Sequence, residues 1–528
     1  MRAAITFALL ALAAAAATNW DAAGNAWWKN VEYLASDGLQ GRNVGSPGFD
    51  KAATYVAGQF ERAGLKPAGV GNYFQPVEFN ETSLDAAKSS LALVRDGKTT
   101  PLDIPGEAQL GYSAESAPTI KAPVVFAGYG LVIPEAHHDD LQGLPVKGAI
   151  VAFLTGGPNA IDGNLRSHYS SGEERWKALR AAGAVGTISI ANPKSMEIPW
   201  ARQSLSYGRP RMALANSKAN AGLKFNASWN PDKADDLLAG SGHTFAEILD
   251  AANHQKPLPH FALQSSISAV VLTSRKPVHS KNVIGLRPGT DPKLKLKNEY
   301  VVVSAHLDHL GEGKPVNGDG IYNGAMDDAS GVASVIEIAK TLAARKTETA
   351  RSIIFLAVTG EEKGEVGSGF FAEHPSLQGT IVADLNMDMF LPLFPLKWLE
   401  VQGLNESTLG ADVHAVAEAA GVKVQADKEP NRNRFIRSDQ YSFIKKGVPS
   451  LAFKFGYIPG GPEEKIFNAW YTERYHGVSD DLNQPVDRPA AAQFNDILLN
   501  LAVRVANAPQ RPAWEPNSFF KRFAAKTE

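Results

Sequence analysis

The chain contains no cysteine. That excludes disulfides, a thiol nucleophile, cysteine ligands to a metal and a lipid-modified cysteine behind a leader, so any bound metal must be held by nitrogen and oxygen donors. An excess of charge of one sign is also lacking. The 53 Lys and Arg face 55 Asp and Glu, a formal net charge of -2, which argues against the broad electropositive surface that nucleic acid or anionic lipid requires. No internal repeat and no low-complexity tract follows the first residues, so solenoid and linker readings fall away. Long apolar runs are absent except at residues 3–17, which are interrupted only by Thr6 and preceded by Arg2. This run is shorter than the roughly 18 residues that span a bilayer. Its small-residue end predicts a signal peptide over 1–17, cleaved near Ala17 or Thr18, and an exported protein, periplasmic or extracellular, with no membrane attachment afterwards.

What is present is ordinary globular material: 528 residues, 44% apolar and 20% charged, enough for several domains and a large core. Residues 18–110 read as the first part of a catalytic domain, with Ala53, Val56, Ala57 and Phe60 at helical spacing and Gly64 as a stop. Between about 111 and 275 the pattern turns to short strands, such as Val124 to Phe126 and Ala149 to Phe153, with one helix near Glu173 to Ala182. This block is predicted to be an inserted β-rich α+β domain. From 276 to 508 strands at Tyr300 to Ser304, Ser352 to Val358, Ile381 to Leu385 and Ser450 to Phe455 alternate with helices, including Ser330 to Ala344 and one carrying Phe494, Ile497, Leu498 and Leu501. The fold class predicted is α/β, a largely parallel sheet with helices on both faces. Residues 509–528, with Pro512 and Pro516, read as a tail wrapped on the surface.

The chemistry gathers where these strands end, the place at which open α/β sheets build their sites. His306 follows Val301-Val302-Val303-Ser304-Ala305, and Asp308 is placed to take its second imidazole proton. Asp327 and Asp328 precede the helix at Ser330, behind a loop, 317–324, rich in Gly and Asn that suits tight turns. Capping accounts for one aspartate of that pair. Glu361 and Glu362 follow a buried strand and, as adjacent residues, point in different directions. Asp388 is a carboxylate among apolar neighbours, costly to bury without a cation, and His476 follows Tyr475. Two other polar groups read as solvated: His137-His138-Asp139-Asp140 in a loop of the insertion, and Arg432, Arg434 and Arg437 in a polar loop.

Through Asn317-Gly318-Asp319 leading into Gly324 to Gly331, Gly360-Glu361-Glu362-Lys363-Gly364, Arg437-Ser438-Asp439 and Tyr475-His476, the chain resembles the co-catalytic dizinc aminopeptidases. These are the bacterial secreted leucine aminopeptidases and, more distantly, glutamate carboxypeptidase and the transferrin receptor. The insertion resembles a protease-associated domain. The resemblance implies a zinc exopeptidase-like fold and two zinc ions per chain sharing Asp327. One ion would add His306 and Asp388, the other Glu362 and His476. It further implies Glu361 as general base, Asp308 and Tyr475 as supporting catalytic residues, a peptide as substrate, and a cis bond between Asp327 and Asp328. An aminopeptidase is the leading expectation. A carboxypeptidase or dipeptidase of the same fold, a single-zinc glutaminyl cyclase-type acyltransferase and a metal-free binding ectodomain are the alternatives. Nothing in the sequence specifies an oligomeric state.

Overall fold

The computed structural model describes residues 18–196, 198–291 and 296–524; the expected signal peptide at 1–17 lies outside them. No helix among the described residues is long and apolar enough to cross a membrane.

The larger sheet runs in the order Arg211–Leu214, Phe74–Leu84, Thr273–Arg287, Ser352–Val358, Glu299–His306, Thr380–Asn386, Ser450–Gly456, Trp398–Gln402, Lys423–Ala426. Its middle is parallel: Glu299–His306 lies between Ser352–Val358 and Thr380–Asn386, and the latter pairs with Ser450–Gly456. Glu299–His306, Ser352–Val358 and Ser450–Gly456 are buried along their whole length, as strands covered on both faces must be.

Beyond this middle the expectation of a largely parallel sheet fails, because Thr273–Arg287 runs antiparallel both to Ser352–Val358 and to Phe74–Leu84. The cause is the chain path. It leaves the sheet along Phe74–Leu84 and, after the strands of a second sheet, returns at the same end along the neighbouring Thr273–Arg287, so this pair is antiparallel. Trp398–Gln402 also runs against Ser450–Gly456, so the sheet is mixed.

Helices Trp20–Leu34, Pro47–Arg62, Ser330–Ala344 and Arg488–Asn507 cover one face with a continuous apolar core. On the other face Phe371 and Phe443, from Val366–Glu373 and Gln440–Ile444, pack against Val302, Ile354 and Leu356. Ser330–Ala344 has the bounds that its periodicity predicts, and Pro47–Arg62 ends before Gly64, whose φ of 68° is one that glycine takes freely.

A second sheet, ordered Lys98–Pro101, Ser90–Arg95, His260–Val270, Thr119–Ala127, Ile150–Leu154, Gly186–Ile190, Phe225–Trp229, Ala108–Gly111, is built from the intervening chain and has its own core around Val124, Phe126, Ile150, Ile188 and Trp229. Its strands begin at Ser90, ahead of residue 111. Arg211–Leu214 reaches back from this region to pair with Phe74–Leu84 in the first sheet. Trp514 and Phe520 of the tail pack on Phe435, Ile436 and Ile444.

Candidate metal centre

The site residues come from the ends of the parallel strands and the loops that follow. His306 is the last residue of Glu299–His306, and Glu361 and Glu362 follow Ser352–Val358 through Gly360, whose φ is 73°. Asp388 stands two residues beyond Thr380–Asn386, and His476 follows the helix Pro462–Glu473 with a positive φ of 54°, a conformation that non-glycine residues keep mainly where the surroundings impose it. Asp327 and Asp328 lie ahead of Ser330–Ala344, and the bond between them is cis.

These side chains meet around Asp327, which is 3% exposed. Its Oδ1 lies 3.1 Å from Nε2 of His306, which is itself 3.6 Å from Oδ1 of Asp388. Its Oδ2 lies 3.2 Å from Nε2 of His476, which is 3.4 Å from Oε2 of Glu362. Asp327 therefore faces two donor groups, one with each oxygen. A third imidazole, His309, is fully buried, with Nδ1 2.7 Å from Oε1 of Glu362 and 3.9 Å from Oδ2 of Asp327.

Nδ1 of His306 lies 3.0 Å from the backbone carbonyl of Asp308. A carbonyl only accepts, so Nδ1 carries a proton and Nε2 is the nitrogen turned to the two aspartates. Burial works against the charged imidazole, but hydrogen bonding to those aspartates raises it well above its usual range. The orienting group is thus the carbonyl of Asp308, in place of the carboxylate that the sequence suggests. The carboxylate is used elsewhere: its Oδ1 accepts from the Glu361 amide at 3.1 Å.

Nε2 of His306, Oδ2 of Asp327, Oε1 of Glu362 and Oδ1 of Asp388 are all buried without a hydrogen-bond donor. Carboxylate oxygens and imidazole nitrogens crowded together in a buried space are compensated by a bound cation or by protonation of the imidazoles. Burial and the charges of Asp388 and Asp327 push Asp328 well above the usual carboxylate range. Burial, with Asp388, Glu362 and Asp439 adding, does the same to Glu361. Burial acts against Glu362, but His476 and His309 outweigh it and hold its carboxyl at about 2. The donors satisfy the requirement for metal: all are nitrogen or oxygen, as zinc, cobalt or manganese accept, and they fall into two groups. Proximity alone also gathers His306, Asp328 and Asp388, and His309, Asp327 and Glu362. Asp328 accepts with Oδ1 from the amides of Gly331 at 3.0 Å and Met389 at 3.3 Å, which binds the helix start to the Asp388 loop, while its Oδ2 is buried without a donor.

The loop at 317–324 does less at the centre than its composition suggests. Gly311–Val316 and Asp319–Tyr322 form a two-stranded hairpin about Asn317 and Gly318, both at positive φ, the Asn-Gly turn that suits strand twist. At its end, Gly324 lies against the Asp327 carbonyl and the His309 ring, which a side chain there would meet at 2.2 and 2.5 Å.

Three supporting residues escape sequence reasoning. Asp480 accepts from the amides of Met326 at 2.9 Å and Asp327 at 3.0 Å; its spacing of four from His476 was the available signal. Arg42, fully buried, donates to the carbonyls of Leu307, Leu34, Asn323 and Gly324 at 2.9, 2.5, 2.6 and 2.9 Å, tying the His306 strand end to the Asp327 loop. Burial pulls its guanidinium down to about 10 against the pull of Asp480 and Asp328. Nothing local in sequence marks it. His309 was in view, three residues after His306.

Of the group at His137 to Asp140, His137 and Asp139 are exposed as expected, but Asp140 is not. Asp140 is 2% exposed, and its Oδ2 accepts from the amides of Tyr129 and Leu131, both at 3.0 Å. Its Oδ1 lies 2.9 Å from Nε2 of His138 and 3.2 Å from Nε2 of His260. With four partners for one carboxylate the cluster closes a turn of the second sheet. Arg432 and Arg434 are engaged too, with Glu429 at 2.6 and 2.9 Å.

Residues 282–502 match the sequence profile described as Peptidase family M28. A curated relative, aminopeptidase YwaD of Bacillus subtilis (strain 168), is 25% identical over 236 residues, 44% of this chain and 46% of that protein. The chain thus spans less than half of that relative's length. Among solved structures, the aminopeptidase from Aneurinibacillus sp. strain AM-1 superposes with a TM-score of 0.53 at 20% identity, covering 93% of this chain and 96% of that one. BSAP, a zinc aminopeptidase from Bacillus subtilis, does so with 0.52 at 17% identity, covering 96% and 98%. At these identities the two superpositions speak to the fold.

Proposed function

Because residues 282–502 match the profile described as Peptidase family M28, we propose that the chain is an exported two-zinc exopeptidase that removes residues from the amino termini of peptides. His306 and Asp388 would hold one cation, Glu362 and His476 the other, and Asp327 both, with the His309 ring 2.7 Å from Oε1 of Glu362. When bound, the pair supplies Lewis-acid activation of water and of the scissile carbonyl.

The remaining steps belong to the chain. Glu361, whose proton affinity is raised by burial and by its carboxylate neighbours, takes the proton of the attacking water and returns it to the leaving amine. Asp308 fixes the Glu361 backbone through the 3.1 Å hydrogen bond to its amide. Tyr475, with its ring 4.1 Å from that of His476, supplies a hydroxyl to the developing oxyanion. The region whose strands run from Ser90 to Val270 is read as an inserted protease-associated domain that narrows the entrance. Support comes from Arg202, which donates to the backbone carbonyls of Tyr471 at 3.3 Å and Thr472 at 2.5 Å, just before Tyr475. Arg209 adds to it from 4.1 Å over the Tyr322 ring.

The observation that carries this reading is the set of buried, donor-less carboxylate oxygens around Asp327. It is tested by metal analysis of the purified full chain together with hydrolysis of Leu-p-nitroanilide against N-acylated acidic dipeptides. Two zinc per chain and cleavage of the free-amine substrate are expected. Protein that stays metal-free and inactive after zinc supplementation ends the two-metal reading, and cleavage of the blocked dipeptides alone ends the aminopeptidase one.

A further inference from the structure

Beside the metal centre lies a small cavity of about 50 Å³ that Asp388 and Tyr475 help to line. Three cationic side chains, Arg434, Arg437 and Lys454, share its wall, and Asp388 is the single acid among the described residues there. With Asp388 turned to a cation, the cavity is left with donors.

Each cation is fixed by the framework. Nζ of Lys454, which is 6% exposed on the buried strand Ser450–Gly456, donates to the carbonyl of Met389 at 3.1 Å and faces that of Asp388 at 3.4 Å. The Arg434 guanidinium lies 4.8 Å over the Tyr471 ring and contacts Glu429 at 2.9 Å. Arg437 donates to the carbonyl of Arg432 at 3.2 Å. A further wall residue, Gln402, is 2% exposed, and its buried Nε2 has no acceptor in the protein. A buried amide donor without an acceptor costs free energy unless a ligand supplies one. The acceptor that suits fixed guanidinium, ammonium and amide donors together is a carboxylate. A leucine side chain would leave the Gln402 amide unanswered and desolvate the cations.

We infer that this cavity is the subsite for the side chain of the residue to be removed, and that it selects an acidic one, glutamate or aspartate. The inference rests on the two-metal aminopeptidase reading and names its substrate class. The geometry joins the two, since the cavity is bounded by Asp388, one of the ligands, and by Tyr475.

The test compares kcat/KM of the zinc-loaded full chain for Glu-, Asp-, Gln- and Leu-p-nitroanilide. Glu is expected to exceed its neutral isostere Gln by about tenfold or more, the scale of a charge-assisted hydrogen bond lost. In Arg437→Gln and, separately, Gln402→Met, that ratio falls towards one, and the difference in inhibition between L-glutamate and L-glutamine narrows. Equal or faster turnover of Gln or Leu by the unaltered chain overturns the subsite, as does a ratio indifferent to both substitutions. If metal-loaded protein cleaves none of the four, the aminopeptidase reading is what fails. Calorimetric titration of the same zinc-loaded protein with L-glutamate and L-glutamine then decides the subsite alone: preferential glutamate binding supports it, and equal or absent binding overturns it.

Discussion

Two clusters of histidine and aspartate sit in this chain, and they differ in what their oxygens meet. Asp140, just after a two-stranded ribbon of Val132–Ile133 and His138–Asp139, has backbone amides on one oxygen and two imidazoles near the other. Asp327, at the ends of the central strands, keeps its amide side tied to Asp480 but turns its own oxygens towards His306 and His476, in company with Asp388 and Glu362. As sequence, His-His-Asp-Asp mimics a metal cluster although its loop position reads as solvated, whereas His306 and Asp327 stand at a strand end and a helix start. In the fold, one carboxylate is satisfied by protein donors, and the other stands among carboxylate oxygens that lack them. A buried acid that lacks donors marks a place for a cation; a buried acid that has them closes a turn.

The comparison breaks most visibly if the two aspartates are exchanged for asparagine. Asp327→Asn removes the one carboxylate that faces both donor groups, so elemental analysis is expected to find less than one zinc per chain and hydrolysis to be lost. Asp140→Asn is expected to keep the zinc content of the unaltered protein. Loss of zinc from Asp140→Asn, or full occupancy in Asp327→Asn, would erase the distinction between the clusters.

Within the first cluster, Glu361 separates chemistry from binding. Its carboxylate belongs to neither donor group, so Glu361→Gln is expected to retain both zinc ions and the thermal transition while turnover drops by about 10²- to 10⁴-fold, the range of a general base. A variant with near-normal turnover would remove Glu361 from the mechanism while leaving the metal assignment standing.

How much of this was readable in the sequence depends on how local the cause is. The strand at Glu299–His306 and the helix at Ser330–Ala344 were legible, because burial on both faces leaves an unbroken apolar run and burial on one leaves a helical stripe. The gathering of His306, Glu362 and Asp388 was legible because each stands at or just past the end of a buried strand, and that of Asp327 because it leads into a helix; His476 entered with the family resemblance. The reversed direction of Thr273–Arg287 was not, since it depends on where the chain re-enters after some two hundred residues of other structure. Arg42 was not either, because its partners, Leu307, Asn323 and Gly324, are distant in sequence and are all backbone carbonyls, which carry no residue signature. Asp308 shows a finer limit. Its spacing from His306 predicted a contact, and the contact exists, but through the carbonyl.

The smallest effect belongs to the second cluster and is one of stability. Burial works against the ionised form of Asp140, but hydrogen bonding from His138 and His260 outweighs it and holds the carboxyl below its usual value of 3.8. The same contact with Asp140 raises His138 above 6.5 in spite of burial. A depressed carboxylate contributes stability that is present above its unfolded value and lost as pH falls through the folded one. A raised imidazole contributes stability that is complete below its unfolded value and lost as pH rises through the folded one. The two overlap between about pH 4 and 6.5, where Asp140→Asn should cost most, about 2 kcal/mol for the charge-assisted contacts. Above that window the imidazole part fades while the two backbone amides still need their acceptor, so the gap between the melting temperatures of variant and unaltered protein narrows without closing. Melting curves from pH 4 to 9 check this, and a gap that widens steadily towards high pH would show that His138 and Asp140 do not act as the pair their 2.9 Å separation implies.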